Sequence, residues 1–265
     1  MKKALFSLCA IALFAFVSCS SDDNATTTDP AATTDVLVKR IVRSQEDPEG
    51  FNEIITYTYN GNKLLEGNYL DGTKEKYYYT GDLITKIEYL FEGQVEAQDL
   101  FVYDASGRLT ECRMQDLDDD SEEKELFVYN NDNTITQTYI QGRPNNTATT
   151  GQVSTLTLEN DEIVKIAYNG VGGKTYKYSY DTKNSPFKNV TGYAKIAYAF
   201  HGDFELEGKK HNIASIKNET DNFNYTVNTM QYNSDDYPTR VVSDAIFYSG
   251  NPNDVERLTV QYFYE

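Results

Sequence analysis

The chain has 265 residues, which is enough for one large all-β domain or two small ones. It carries 41 acidic against 24 basic residues, a formal net charge of -17. Such a charge repels nucleic-acid phosphates, so we predict no nucleic-acid partner, and the acidity itself indicates solubility. The 22 Tyr and 13 Phe, with no Trp, argue against disorder and predict a core built largely from aromatic rings.

Residues 1–18 have the organisation of a signal peptide. Two lysines follow Met1, and the uncharged apolar stretch from Ala4 to Val17 is too short to span a bilayer as a helix. The stretch ends in Phe16-Val17-Ser18-Cys19, which resembles the lipobox of bacterial lipoproteins. That resemblance implies cleavage before Cys19, attachment of diacylglyceryl and palmitate-type acyl chains there, and stable membrane anchoring. An ordinary secretory signal with a chance Cys is the alternative.

Residues 19–35 follow as a predicted flexible tether, rich in Ser, Thr, Asp and Ala. Its first residues, Ser20, Ser21, Asp22 and Asp23, are similar to the export signal that sends lipoproteins of the Bacteroidota to the cell surface. The resemblance implies an outer-membrane lipid anchor with display at the cell surface, or otherwise facing the periplasm. A plain hydrophilic tether is the alternative. Residues 36–265 are then predicted to form a single domain.

From Val36 onward one phrase recurs: an aromatic residue, any residue, a second aromatic residue, a polar turn and a short apolar-alternating run. Tyr57-Thr-Tyr59 before Asn60-Gly61-Asn62 is one example. The second marker residue of each phrase falls at positions 59, 79, 103, 129, 158, 180, 232 and 264. The wide gap between 180 and 232 is interpreted as two units, with Leu206 as the missing marker. A fixed period of this size predicts stacked supersecondary units.

Each unit is predicted to hold two strands and two turns, because turns rich in Asn, Asp and Gly suit tight antiparallel hairpins. Tyr57 and Tyr59 share one face of a strand, and Thr56 and Thr58 share the other. The fold class is therefore all-β, an antiparallel meander of about sixteen to eighteen strands curled into an open or barrel-like sheet. A membrane-spanning barrel is not expected, since the alternate positions hold Thr, Lys, Glu and Asn rather than apolar residues.

One stretch, about residues 184–200, departs from the repeat and is predicted to be an insertion. Pro186 lies where a strand would need its N–H, which indicates a loop. Residues 191–200 fit either a strand or a short helix, and their alanines favour the helix.

The segment Phe101-Val-Tyr103-Asp104-Ala-Ser-Gly107-Arg108-Leu109-Thr110 resembles one unit of the YD (RHS-type) repeat family. In that family a Tyr-Asp pair, a Gly-bearing turn and an Arg-Leu start form successive hairpins of a long curved sheet. The other units keep the aromatic–turn–apolar order but lose the Arg. The whole chain also resembles an uncharacterised group of Bacteroidota lipoproteins with Tyr-rich repeats. Both resemblances imply a β-meander on the envelope, and neither implies an activity.

Candidate sites for metal ions and for cysteine chemistry are few. Asp116, Asp118, Asp119 and Asp120 offer the hard oxygens that Ca²⁺ prefers, but their run lacks the spacing and internal Gly of a dedicated loop, so a solvated turn is the preferred interpretation. His201 and His211 could share an ion only if their loops converge; exposed loop histidines are the preferred interpretation. We expect no cofactor. Cys112, the one Cys of the predicted domain, is interpreted as a packing residue.

No catalytic motif stands out, so we do not expect an enzyme. A carboxylate-based hydrolase stays open only because 41 acidic residues guarantee chance pairs. The surplus of rings favours a binding or scaffold module with exposed Tyr that take a glycan or a protein partner. For any single Tyr, cross-strand packing is the preferred interpretation. A structural component of an envelope complex is the alternative function, and the membrane is a partner through the lipid anchor.

Overall fold

The computed structural model describes residues 35–45, 50, 52–142, 151–197, 199, 206–246 and 255–265. These residues belong to one compact unit that runs from Asp35 to Glu265. The predicted signal peptide, Cys19 and the acidic tether lie outside the described residues, so the predicted domain boundaries stay predictions.

The described residues form sixteen antiparallel strands that close into a barrel, which confirms the predicted all-β meander. Each strand pairs with its neighbours in sequence, and the last strand pairs with the first. The strands are β1 (Val38–Gln45), β2 (Asn52–Asn60), β3 (Lys63–Tyr69), β4 (Lys74–Thr80), β5 (Leu83–Phe91), β6 (Gln94–Tyr103), β7 (Leu109–Asp116), β8 (Ser121–Tyr129), β9 (Thr134–Gly142), β10 (Gln152–Glu159), β11 (Glu162–Tyr168), β12 (Thr175–Tyr180), β13 (Ile213–Asn218), β14 (Phe223–Tyr232), β15 (Pro238–Ala245) and β16 (Glu256–Tyr264).

The strands alternate between a face buried inside the barrel and a face turned to solvent. On β2, Ile55 and Tyr57 are buried while Thr56 and Thr58 are exposed, as the alternation predicts. Inward aliphatic and aromatic residues from all around the ring form two hydrophobic clusters. Few rings are exposed, as the packing interpretation of each single Tyr predicts and against an exposed surplus of rings: among the described residues, the exposed aromatic side chains are Tyr78, Phe91 and Phe263. Because the sheet closes into a barrel, every strand has an inward face that can bury rings, which an open sheet would not provide.

Phenol–carbonyl hydrogen bonds explain why the second marker residue of a phrase is so often Tyr. In four hairpins this Tyr donates its hydroxyl to a backbone carbonyl near the start of the preceding strand, at 2.6 to 2.8 Å. Each accepting carbonyl lies at a β-bulge, where the ladder is interrupted and a buried carbonyl needs another partner. The donor–acceptor pairs are Tyr59 and Val38, Tyr103 and Ile84, Tyr180 and Ile163, and Tyr264 and Pro238.

The insertion between β12 and β13 is longer than predicted. It occupies residues 181–212, and its described part contains one short helix, α1 (Tyr193–Ile196), which answers the question left open for 191–200. The interpretation of Leu206 as a repeat marker is wrong: Leu206 lies outside any strand, and the neighbouring Glu207 makes only an isolated bridge to Asn212. The gap between 180 and 232 is therefore one hairpin with an insertion, because the chain leaves the sheet at this connection.

The insertion lies across one end of the barrel, called here the capped end. The N–H of Asn184 donates to the carbonyl of Asp236 in the β14–β15 turn (2.9 Å), and the N–H of Thr191 donates to Asn62 in the β2–β3 turn (2.9 Å). Lys210 Nζ donates to the carbonyl of Asn160 in the β10–β11 turn (3.1 Å). These turns lie at the same end but on different sides of the ring, so the insertion must cross it.

The outer face of the barrel is largely polar, with scattered exposed apolar side chains such as Val102, Val128 and Phe263. Ion pairs and hydrogen bonds link outward side chains of neighbouring strands, as between Arg257 and Asp244 (2.7 Å) or Gln98 and Gln115 (2.7 Å). Within the part of the chain that the structure describes, no helix has the length and apolar character needed to cross a bilayer.

Candidate functional site

A cavity of about 270 Å³ lies inside the barrel beneath the insertion. One wall is formed by β1 to β5, the facing wall by β11 to β13, and the roof by the insertion. Rings dominate the lining, and ionisable groups from both walls and the roof join them. The lining residues are Arg43, Tyr57, Tyr69, Glu75, Tyr77, Ile87, Tyr89, Glu162, Ile163, Tyr178, Tyr180, Phe187, Tyr193, Ala197, Leu206, Glu207, Gly208, Lys209 and Ile213.

The ring-bearing wall follows from the period of two along each strand. Glu75 and Tyr77 lie two residues apart on β4 and therefore point into the same lumen. Gly67 on β3 leaves room for them: a Cβ at this position would lie 3.0 Å from Glu75 Oε2 and 3.1 Å from Tyr57 Cε1. A small residue at this one inward position thus allows the larger side chains of the neighbouring strands to converge.

Glu75 is the centre of a hydrogen-bonded group in this wall. The hydroxyl of Tyr69 donates to Glu75 Oε1, and the hydroxyl of Tyr77 donates to Oε2 at 2.8 Å. Burial, followed by the charge of Glu75, raises the pKa of both phenols above the ordinary value. Both tyrosines therefore stay protonated donors at neutral pH, and both carboxylate oxygens accept hydrogen bonds.

Arg43 provides the cation of this wall. Its Nη1 donates to Glu53 Oε2 at 3.1 Å, and both residues point inward from adjacent strands. Their side chains nevertheless remain 34% and 30% exposed. Because inward side chains keep this much contact with solvent, water reaches the lumen at their depth.

The adjoining Asp99 on β6 is a buried carboxyl, 6% exposed. The hydroxyl of Tyr89, which lines the cavity, donates to Asp99 Oδ2 at 2.8 Å. Burial raises the pKa of Asp99 to about 6, while the Tyr89 hydrogen bond opposes the shift and the charge of Glu75 adds to it. The Tyr89–Asp99 hydrogen bond therefore connects the cavity wall to a carboxyl with a pKa of about 6.

The roof is held by aromatic packing. Phe187 stacks on Tyr193 with ring centroids 4.5 Å apart, and it meets the edge of Tyr57 from the strand wall at 5.9 Å. These contacts bring the insertion into the lumen rather than only over its rim. The ring faces of both the wall and the roof therefore border the same space.

Two carboxylates fix the roof to the strands. Glu162 accepts the backbone N–H groups of Lys209, Lys210 and His211 at 2.8 to 3.0 Å, which orders the returning end of the insertion. Glu207 Oε1 accepts the hydroxyl of Tyr262 at 2.6 Å. Burial lowers the pKa of the Lys209 ammonium to about 8, although Asp161 and Glu162 oppose that shift.

The chemistry of the cavity suits binding. Both oxygens of Glu75 and both oxygens of Glu162 accept hydrogen bonds from the protein, so these carboxylates hold the walls in place. Ring faces, phenol hydroxyls and the Arg43 guanidinium together offer apolar contact and donors within one cavity. Small-molecule sites generally combine an apolar lining with a few placed polar groups in this way.

The structure places the predicted calcium ligands in the β7–β8 turn. Asp116 Oδ1 accepts the N–H groups of Asp118 (2.9 Å) and Asp119 (3.2 Å), and Asp119 Oδ1 accepts that of Ser121 (2.9 Å). Asp120 has a φ of 56°. The carboxylates thus close a turn, and the described residues contain no group of three or more His, Cys, Asp and Glu arranged to hold a metal ion.

The remaining predicted sites are placed as follows. Cys19 and the export-signal residues Ser20, Ser21, Asp22 and Asp23 lie outside the described residues, as does His201. His211 lies beside Glu162, with Nδ1 at 3.5 Å from Oε1. Cys112 is fully buried in the barrel interior, and burial raises the pKa of its thiol, consistent with a packing role.

Sequence reasoning did not single out Arg43, Glu75 or Glu207. Glu75 precedes Tyr77 and Tyr79 by two and four residues, so the period-2 pattern puts its carboxylate on the ring-bearing face. Arg43 follows Ile41 by two residues in the same way. A charged residue at an inward position of a strand could therefore have identified Arg43 and Glu75 as cavity residues. Glu207 lies in the insertion, where no periodic pattern identifies it.

Comparisons with known proteins give limited information. No protein-family model matches the chain, and no curated protein matches it. Among solved structures, the chain is similar to a porin-like protein from Bacteroides uniformis, with 14% sequence identity over 86% of this chain and 98% of that chain and a TM-score of 0.42. At this TM-score the likeness carries no functional inference, and the resemblance to YD repeats stays a prediction.

Proposed function

We propose that the protein is an envelope-anchored, surface-displayed lipoprotein and that its barrel is a binding module rather than an enzyme. The ligand site is the cavity beneath the insertion, and the ligand class is a small polyhydroxylated molecule such as a sugar. The observation that carries this proposal is the partly open, ring-lined space with polar groups of both signs on its walls.

The ligand class follows from the donors, acceptors and ring faces of the lining. Tyrosine rings pack on the apolar faces of sugar rings, while phenol, carboxylate and guanidinium groups form hydrogen bonds with sugar hydroxyls. The volume of 270 Å³ is near the lower end of the about 300–1,000 Å³ typical of small-molecule pockets. A compact ligand, one sugar ring or a similar polyol, therefore fits better than a long chain.

The anchor is proposed from Cys19 and from the polar outer face of the barrel. Outward positions such as Thr56, Lys76 and Lys177 suit water better than hydrocarbon. On this proposal the lipid at Cys19 holds the protein at the membrane while the barrel stays in water.

Binding is tested by calorimetry and thermal shift on the purified full chain, with a library of neutral monosaccharides, disaccharides and polyols. Ala197→Leu fills the cavity from its roof, and Ala167→Leu on the outer face of β11 is the matched control. We expect a sugar that raises the melting temperature of the wild type and of Ala167→Leu but binds Ala197→Leu at least tenfold more weakly. The proposal is refuted if no member of the library binds, or if Ala197→Leu binds the sugar with the same affinity as the wild type.

The anchor has its own test. Residues 1–19 are exchanged for a cleavable signal peptide without a lipobox, and the envelope is fractionated. We expect the barrel in the soluble fraction, with the wild type in the membrane fraction. A barrel that remains in the membrane after carbonate washing would show that another part of the chain holds it there.

A further inference from the structure

The sheet register places three lysines side by side on the outer face of the barrel. Lys165 on β11 pairs directly with Lys177 on β12, and Lys177 pairs directly with Lys217 on β13. All three are exposed, while the residues next to them in sequence, Ile166, Tyr178 and Ile216, are buried. We call Lys165, Lys177 and Lys217 the lysine row.

The lysine row differs from an outward lysine elsewhere in the same barrel. On β3 to β5, Lys76 lies directly between Glu66 and Glu88, so its charge is balanced on both sides. Lys177 instead has a lysine on both sides. Directly opposed like charges destabilise a sheet.

The surroundings of the lysine row are mostly uncharged, with Glu219 at one edge. Across five strands the aligned positions read Thr157, Lys165, Lys177, Lys217 and Asn224. The outward neighbours along the strands are Ala167, Thr175, Ser179, Ser215 and, just beyond the end of β13, Glu219, which makes no ion pair with the lysines. Within the described parts of the chain, none of the three ammonium groups makes an ion pair, a hydrogen bond or a ring contact. A chain with 41 acidic residues thus leaves three adjacent cations unneutralised.

The spacing defines the shape of a partner. Neighbouring strands lie about 4.8 Å apart, so the three lysines span about 10 Å in a straight line across the strands. This separation is close to the Debye length of about 8 Å at physiological salt, so the three charges act together on a partner at the surface. A linear partner with regularly repeated negative charges matches that geometry.

We propose that the lysine row binds a linear anionic polysaccharide, with carboxylate or sulfate groups on the ammonium groups and sugar hydroxyls on the flanking Thr and Ser side chains. The flanking positions favour a glycan over a membrane, because docking to a bilayer gains from large apolar side chains that enter it, and the side chains that flank the row are small or polar apart from Val227 beside Ser215. Nucleic acid is disfavoured because none of the flanking positions named above carries a ring on which a base could stack. This site is independent of the cavity inside the barrel.

The test compares two triple variants of the full chain. The row variant carries Lys165→Gln, Lys177→Gln and Lys217→Gln. The control variant carries Lys76→Gln, Lys86→Gln and Lys124→Gln, because these outward lysines lie beside glutamates. Probes are oligogalacturonate, a sulfated heparin oligosaccharide, neutral dextran, phosphatidylglycerol vesicles and single-stranded DNA. Circular dichroism melting confirms that both variants keep the barrel.

We expect the wild type and the control to bind at least one of the two charged oligosaccharides but not dextran, with an affinity that falls between 50 and 200 mM salt. The row variant should bind at least tenfold more weakly. The proposal is overturned if neither charged oligosaccharide binds, if the two triple variants lose affinity equally, or if only vesicles or DNA respond to loss of the row.

Discussion

Removal of a single phenol oxygen tests whether the tyrosine repeat is fixed by hydrogen bonds or by ring packing alone. The hydroxyl of Tyr103 donates to the carbonyl of Ile84 at 2.6 Å, at the bulge of β5. Tyr103→Phe keeps the ring and removes the donor. A buried hydrogen bond of this kind contributes about 1 kcal/mol to stability, with a range of about 0.5–1.5.

The magnitude can be measured by urea unfolding of the full chain. With an m value of about 3 kcal/mol/M, a loss of about 1 kcal/mol lowers the midpoint by about 0.3 M. Tyr59 and Tyr180 make the same bond in hairpins far around the barrel. Distant substitutions add, so the triple change to Phe should cost about 3 kcal/mol and shift the midpoint by about 1 M at unchanged m.

Tyr78→Phe is the matched control. Its hydroxyl donates to Glu88 Oε2 at 2.5 Å on the outer face, and its side chain is 39% exposed. Surface substitutions of this kind change stability by less than about 0.5 kcal/mol. If Tyr103→Phe costs no more than Tyr78→Phe, the phenol–carbonyl bonds contribute nothing and ring packing alone explains the repeat.

Two further predictions concern the cavity wall. The raised pKa of Asp99, about 6, means that the folded state holds a proton that the unfolded chain releases near pH 4, so this residue lowers stability as pH rises from about 4 to 6. Relative to the wild type, Asp99→Asn should therefore be more stable at pH 7, by up to about 3 kcal/mol, and should show no such gain at pH 3; an equal difference at both pH values in urea titrations would contradict the assigned pKa. Gly67→Ala should cost about 1–3 kcal/mol, because its Cβ would press on Glu75 and Tyr57. Unchanged stability of Gly67→Ala would mean that these side chains move aside freely.

The repeat predicted the strand number and the pairing of neighbours because both are local properties. Each turn is set by residues such as Gly61 and Gly81, whose φ values of 57° and 58° place them in the left-handed region, and each hairpin pairs strands that are adjacent in sequence. The pairing of β1 with β16 joins the two ends of the chain, and no local pattern encodes it. The sequence therefore left open and closed sheets as alternatives.

The site was less predictable than the fold, for a related reason. The ring-bearing face and the packing of each single Tyr were expected from the alternation, but a surplus of exposed rings was also expected because one sheet face was thought unable to bury them all. Residues 184–200 were recognised as an insertion by Pro186, yet Leu206 was misread as a repeat marker. Only the tertiary contacts, such as Phe187 against Tyr57, show that the insertion enters the lumen.

The break in the repeat and the cavity are connected by geometry. A barrel of about eight strands is filled by its own side chains, whereas sixteen strands enclose a wider lumen. Tyrosines reach farther inward than aliphatic residues, and Phe187 and Tyr193 of the insertion close the space from above. A strictly regular repeat would leave the lumen without a roof. The segment that departs from the repeat therefore gives a wide barrel a roofed cavity, and it is the part of this chain in which changes should alter ligand choice while leaving the strands paired.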